Sequence, residues 1–123
     1  MGKKKSSSRA WLKEYHDDVY VQRAHKEGYR SRAVYKLMEI NDKDRIIRPG
    51  MSVLDLGSAP GGWSQVAGEW VGVQGRMVAS DILPMDTLAD VRFVLGDFTE
   101  QETYDRIMAE LNNQPLDVVL SDM

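Results

Sequence analysis

A short apolar stretch that breaks into a glycine-rich turn, residues 53–63 (VLDLGSAPGGW), constrains the fold of this chain more than any other feature. Its apolar part, VLDL, is too short for a helix and indicates a buried strand. The glycines that follow, Gly57, Gly61 and Gly62, permit backbone angles and close approaches that a Cβ would forbid. Open α/β sheets bind nucleotide-like ligands at such a turn, beside the start of the next helix. The stretch therefore predicts an α/β fold with a ligand at this turn.

The turn also discriminates between ligands. It nearly matches the dinucleotide fingerprint GxGxxG, but Ala59 replaces the middle glycine and Pro60 follows it. Pro60 has no N–H to offer a phosphate, and the Cβ of Ala59 holds a ligand away from the backbone. The turn favours a ligand without a pyrophosphate, such as the amino-acid end of S-adenosylmethionine, over NAD. A purely structural β-turn-α connection remains a third interpretation.

Acidic residues end the next two predicted strands. Asp81 lies 24 residues after Gly57, where it would accept hydrogen bonds from both hydroxyls of a ribose. Asp97 follows the apolar run 93–95 and would reach an adenine amino group. Each acid alone is equally consistent with a solvated loop residue or a helix cap. Three successive strand ends that carry Gly, Asp and Asp favour a ligand site.

Charge divides the chain into two parts. Residues 1–50 contain 13 Lys and Arg against 7 Asp and Glu, whereas residues 51–123 contain 3 against 12. This asymmetry predicts a basic, RNA-facing helical segment over residues 1–48 and a cofactor-binding half over residues 49–123. Within the basic segment, residues 1–8 are expected to be mobile. Arg30, Arg32 and Lys36, interleaved with tyrosines, are expected to bind RNA, and an ordinary solvated helix face is the alternative.

Other classes of protein are less compatible with the composition. The 123 residues, which correspond to one small domain, include no cysteine, so disulfides and thiolate metal sites are excluded. His16 and His25 have no metal-ligand partner at a useful spacing, so no metal is expected. The sequence has no apolar run long enough to span a membrane, and we expect a cytoplasmic protein.

Periodicity predicts the elements. Helices are expected at 19–26 and 31–40, the second capped by Ser31, and after the glycine turn, where Trp63 begins an apolar face. Strands are expected at 51–56, 77–79, 91–95 and 117–121, and a capping box from Thr99 to Glu102 precedes a further helix. Right-handed crossovers then give the parallel order 3-2-1-4. The last strand is apolar on both faces yet lies at an edge, so we expect a sheet cut short.

These residues resemble the FtsJ/RrmJ-type ribosomal RNA methyltransferases over nearly the whole chain. The most specific matches are APGGW at 59–63 and LPMD at 83–86. Further matches lie at SSSR (6–9), WL (11–12), GYRSR (28–32), KL (36–37), DLG (55–57), GDF (96–98) and SDM (121–123). The resemblance implies a Rossmann-like fold that uses S-adenosylmethionine to methylate a ribose 2'-hydroxyl of a uridine in 23S large-subunit rRNA, in support of ribosome assembly. The full-length protein is expected to be a monomer.

The resemblance also implies roles for particular residues. Gly61 and Trp63 match loop contacts to the cofactor, together with Gly57 and Gly62 of the same turn. Asp81 matches the ribose-binding acid, Asp97 the adenine-end acid, and Asp122 the acid beside the reacting methyl group. Members of the family carry a catalytic Lys-Asp-Lys-Glu set, of which Lys36 and Asp122 match the first two.

The other two members of that set have no counterpart among these residues. We therefore expect little or no transferase activity from a chain that ends at Met123. Three hypotheses remain: the N-terminal portion of an rRNA methyltransferase, a catalytically inactive fragment that retains RNA or cofactor binding only, and an NAD-linked oxidoreductase. The last is disfavoured by Ala59, Pro60 and the basic leading segment.

Overall fold

The computed structural model describes residues 19–123. The expected mobility of residues 1–8 and the placement of His16 concern residues outside this range. Within it the chain forms, in order, α1 (Val19–Glu27), α2 (Val34–Asp44), β1 (Ser52–Leu56), α3 (Gly62–Val71), β2 (Arg76–Asp81), β3 (Val91–Leu95), α4 (Gln101–Glu110) and β4 (Val118–Ser121).

The four strands form one parallel sheet in the order β3-β2-β1-β4, which confirms the predicted order. β1 is central: its Leu54 lies opposite Val78 of β2 on one side and Val119 of β4 on the other. β3 extends the sheet beyond β2, with Phe93 opposite Ala79. Because all four strands run the same way, the turns that follow them meet at one edge of the sheet.

Helices cover both faces of the sheet. On one face, Leu37 of α2 and Val66 of α3 pack in a cluster with Met77 of β2. On the other face, Ile107 and Leu111 pack against the same central strands. Complete burial of a side chain of this size stabilises the fold by about 2 kcal/mol. The two apolar layers thereby hold the ends of β1 and β2 in fixed positions.

β4 is an open edge. Leu120 is buried, whereas the side chain of Val119 on the opposite face is 54% exposed. This arrangement confirms the prediction that the last strand is an apolar edge strand with an uncovered face. Among residues 19–123, none of the helices has the length and apolarity needed to cross a bilayer.

The start of α2 differs from the prediction. The helix begins at Val34 rather than at a cap formed by Ser31, and its N-cap residue Ala33 makes no side-chain capping bond. The hydroxyl of Ser31 instead occupies the space beside Gly62, where it would collide with a Cβ. Tertiary packing against α3 thus places this serine away from the helix end that its sequence position suggested.

The capping box predicted before α4 is also wrong. The N-cap residue is Glu100, with no side-chain capping bond. The hydroxyl of Thr99 donates to Oδ1 of Asp97 at 2.7 Å, and so does the Thr99 N–H at 2.9 Å. The hydroxyl and the N–H of Thr99, which a capping box would use at the start of the helix, are therefore bound to the carboxylate of Asp97.

Candidate functional site

The glycine turn between β1 and α3 forms the base of the site. Gly57 has φ +69° and Gly61 has φ +110°, angles that strongly favour glycine. The N–H groups of Gly57 and Ser58 both donate to the carbonyl of Ser80, at 2.9 and 3.1 Å. These two backbone hydrogen bonds fasten the start of the turn to the end of β2.

Asp55 lies near the end of β1, two residues before Gly57 of this turn. Its side chain is only 2% exposed, and Oδ2 accepts a hydrogen bond of 2.8 Å from the hydroxyl of Ser64. Burial raises the pKa of Asp55 to about 6; the Ser64 bond opposes the shift, and the charges of Asp122 and Asp81 add to it. The pKa of Asp55 therefore lies closer to neutrality than that of an ordinary carboxyl group.

Asp81 and Asp97 follow the ends of neighbouring strands, as predicted. The Asp81 carboxylate accepts the N–H of Ala59 at Oδ2 (2.9 Å) and the N–H of Leu83 at Oδ1 (3.1 Å). Each of these oxygens has a second lone pair for a ligand hydroxyl. The two hydrogen bonds from Thr99 hold the pKa of Asp97 below its usual value, so this carboxyl remains ionised at neutral pH.

Two neighbouring cavities follow the edge where the strands end. The smaller, about 50 Å³, is lined by Asp55, Gly57, Gly62, Trp63 and Asp122, among others. The larger, about 330 Å³, falls within the size range of small-ligand sites. Its lining includes Gly57, Asp81, Asp97, Phe98 and Met123.

Gly57 belongs to both cavities, and the side chain of Met123 lies directly against it. We refer to the two cavities together as the acidic crevice. A ligand with hydroxyl groups and positive charge suits such a crevice, since four carboxylates border it. Six of the seven predicted cofactor residues line it, and the seventh, Gly61, lies in the turn beneath.

Trp63 serves two purposes, as its position at the turn suggested. Its indole Nε1 donates to the carbonyl of Ala33 at 2.7 Å, which connects the start of α3 to the start of α2. The ring also packs against the apolar cluster of that face and lines the smaller cavity. The tryptophan is therefore both a core residue and part of the crevice wall.

The predicted RNA-binding residues lie in different settings. Lys36 is exposed on α2 and is not among the residues that line the acidic crevice. Arg32 is exposed, with its guanidinium 5.6 Å from the ring centre of Tyr20. Arg30 differs, because its guanidinium donates to the carbonyls of Pro60, Asp86 and Thr87.

The tyrosines that alternate with these cations form one cluster. The ring of Tyr35 lies 6.2 Å from that of Tyr20 and 5.9 Å from that of Tyr29. Arg23 lies over Tyr35 at 4.4 Å and pairs with Glu27 at 2.7 Å. The three tyrosines thus cluster with Arg23 and Arg32, and the use of a basic, aromatic surface for RNA stays a prediction.

Two features of the site were not identified from the sequence. The Asp55–Ser64 pair had a visible signal, namely an acid in the middle of an apolar strand. The contacts of Arg30 gave no signal in the sequence, since they join residues up to 57 positions apart. In the described part of the chain, no group of three or more His, Asp or Glu residues is arranged to hold a metal ion.

The fold is that of a methyltransferase. The model of the FtsJ-like methyltransferase family matches residues 29–123, and the chain belongs to this family. A solved structure from Plasmodium falciparum, described as a ribosomal RNA methyltransferase, has the same fold with a TM-score of 0.70. It is 29% identical and covers 77% of this chain and 56% of its own.

Curated relatives are more similar in sequence. Ribosomal RNA large subunit methyltransferase E of Psychrobacter cryohalolentis is 65% identical over 117 residues, which cover 95% of this chain and 56% of that protein. The proteins of the same name from Cellvibrio japonicus and Pseudomonas aeruginosa are 59% and 57% identical over all 123 residues, which cover 58% and 59% of their lengths. The chain thus spans somewhat more than half the length of these relatives.

Proposed function

We propose that this chain provides the S-adenosylmethionine site and part of the RNA surface of an enzyme that methylates the ribose 2'-hydroxyl of a uridine in 23S large-subunit rRNA. The proposed setting is ribosome assembly in the cytoplasm. The observation that carries the proposal is the acidic crevice, whose two neighbouring cavities share Gly57 of the glycine turn and are bordered by four carboxylates.

The chemistry of the crevice favours this cofactor over a dinucleotide. S-adenosylmethionine carries positive charge on its sulfonium and ammonium groups, whereas NAD carries a diphosphate that four carboxylates would repel. Asp81 would accept the ribose hydroxyls, and Asp97 the adenine amino group. Asp122, which lines the smaller cavity together with Trp63, would border the reacting methyl group. Pro60 gives the turn one N–H fewer for a phosphate.

When bound, the cofactor supplies an electrophilic methyl group. The chain's own residues then have to hold the 2'-oxygen in line with that group and help to remove its proton. Lys36, on the helix beside the crevice, is proposed to position the RNA strand. The lysine that the family uses as base has no counterpart here, since no lysine follows Lys43. This favours, as a second candidate, binding without turnover by these residues alone.

Isothermal titration calorimetry of the 123-residue chain with S-adenosylmethionine and, separately, NAD tests the cofactor assignment. We expect saturable binding of the first and none of the second. Binding of NAD with equal affinity, or of neither ligand, would contradict the proposal.

Transfer of a tritiated methyl group to large-subunit particles separates the two candidates. A general base contributes about 10²- to 10⁴-fold to rate, so we expect turnover by residues 1–123 at least about a hundredfold below that of a longer relative. Equal turnover would show that these residues contain a complete catalytic set.

A further inference from the structure

Arg30 makes an unusual set of contacts for a residue on a basic surface. Nη1 donates to the carbonyl of Pro60 at 3.1 Å and to that of Asp86 at 2.6 Å, while Nη2 donates to the carbonyl of Thr87 at 3.0 Å. All three acceptors are backbone atoms. The guanidinium therefore joins the glycine turn to the crossing that follows β2.

The backbone around Arg30 is anchored as well. Its N–H donates to Oε1 of Gln65 at 3.1 Å, and Nε2 of the same glutamine donates to the carbonyl of Gly28 at 2.9 Å. Gln65 lies in the first turns of α3. The connection between α1 and α2 is thus held against the helix that begins at the glycine turn.

The shape of the turn also depends on this contact. A Cβ on Gly61 would lie 3.1 Å from Nη1 of Arg30, and 3.3 Å from both Sδ of Met85 and Cδ1 of Leu88. The guanidinium and the crossing therefore pack directly on the backbone of the turn. A fork of donors that meets three carbonyls is a task that arginine performs and lysine does not.

We infer that Arg30 is a positioning residue for the cofactor turn, which its guanidinium fastens to residues 86–87, and that it does not serve as a phosphate contact for RNA. The inference rests on the proposed function in one respect: the turn that Arg30 fastens is the turn that we assign to S-adenosylmethionine. It divides the three cations predicted to bind RNA into one that shapes the crevice and two, Arg32 and Lys36, on the exposed surface.

The test compares Arg30→Gln and Arg30→Lys with matched variants of Arg76. Arg76 donates from Nη1 to the carbonyl of Glu110 at 3.0 Å, at the start of β2 and away from the crevice. For each variant we would measure the Kd of S-adenosylmethionine, the salt dependence of RNA binding and Tm. Both Arg30 variants should raise the Kd of S-adenosylmethionine about tenfold. The Arg76 variants should lower Tm about as much as the Arg30 variants do, but they should not change this Kd.

The RNA measurement distinguishes the two roles. If Arg30 positions the turn, Arg30→Gln leaves the slope of log K against log salt unchanged. If Arg30 contacts a phosphate, the same variant lowers that slope by about one, leaves the Kd of the cofactor unchanged and is fully rescued by lysine. The second pattern would overturn the inference.

Hydrogen exchange of the ligand-free protein separates this inference from the proposed function. Arg30→Gln should accelerate exchange at the amides of residues 61–62 and 86–88, and Arg76→Gln should not. Acceleration in a protein that binds no S-adenosylmethionine would contradict only the proposed function. Unchanged exchange, together with unchanged cofactor affinity, would contradict the inference itself.

Discussion

The hydroxyl of Ser64 donates a 2.8 Å hydrogen bond to Oδ2 of Asp55, so the first turn of α3 is attached to an acid in the buried centre of β1. This bond stabilises the carboxylate but does not offset its burial, and the pKa of Asp55 remains raised to about 6. An ionisable group with a raised pKa therefore belongs to the wall of the crevice that we assign to a cationic cofactor.

Asp55→Asn should remove a pH dependence of stability. Between about pH 4 and pH 6 the folded protein holds a proton that the unfolded chain has lost, so the free energy of unfolding falls as pH rises through this window. A shift of about two pKa units corresponds to about 3 kcal/mol. Urea denaturation of the wild type at pH 4 and pH 7 measures the difference, which Asp55→Asn should change by about this amount and the exposed-site control Asp44→Asn should leave unchanged. The same pH dependence in both variants would show that Asp55 is not its source.

Gly61→Ala should weaken both the fold and cofactor binding. The new Cβ would be strained at φ +110° and would press on Arg30, Met85 and Leu88. Gly50 is the matched control, because its φ of +87° imposes comparable strain and nothing lies within 4 Å of its Cβ position. We expect Gly50→Ala to cost about 1 kcal/mol of stability and to leave the Kd of S-adenosylmethionine unchanged, whereas Gly61→Ala raises that Kd more than tenfold. Equal effects on the Kd would refute a special role for Gly61.

Asp81→Asn should reduce cofactor affinity about tenfold or more. The amide keeps one acceptor oxygen, but it cannot accept the two backbone N–H bonds and two ribose hydroxyls together. Calorimetry with S-adenosylmethionine and with methionine separates the contribution of the ribose to binding from that of the amino-acid end, because only S-adenosylmethionine carries a ribose. Asp86→Asn, on the crossing after β2, is the control. An unchanged Kd for Asp81→Asn would mean that the ribose lies elsewhere.

Replacing Arg32 and Lys36 together by Gln should weaken RNA binding without altering the crevice. Each lost phosphate contact lowers the slope of log K against log salt by about one, so the double variant should lose between one and two. The control variant Lys43→Gln, at the far end of α2, should have the same slope as the wild type. Fluorescence anisotropy of a labelled rRNA fragment at several salt concentrations gives the slopes. A slope equal to that of the wild type would remove this surface from the RNA interface.

The strand order and the acids at the strand ends were predictable because they depend on local pattern. Short apolar runs separated by turn residues define β1 to β4, and right-handed crossovers leave few arrangements. The helix starts were not predictable, since Ser31 and Thr99 form tertiary or competing local contacts instead of caps. Asp55 was overlooked although an acid within an apolar strand is a visible signal. Arg30 was assigned to RNA by its charge, because its partners lie far away in sequence.

The pairing of β1 with β4 begins with a reciprocal contact between distant residues. The N–H of Ser52 donates to Oδ2 of Asp117 at 2.8 Å, and the N–H of Asp117 donates to the carbonyl of Ser52 at 2.9 Å, across 65 positions of sequence. Closing a loop of this length carries a large entropic cost before any contact compensates it. We therefore expect β4, which leads to Asp122 in the crevice wall, to pair with β1 later in folding than β2 does. A ligand that bridges this wall and the glycine turn would slow unfolding more than it speeds folding.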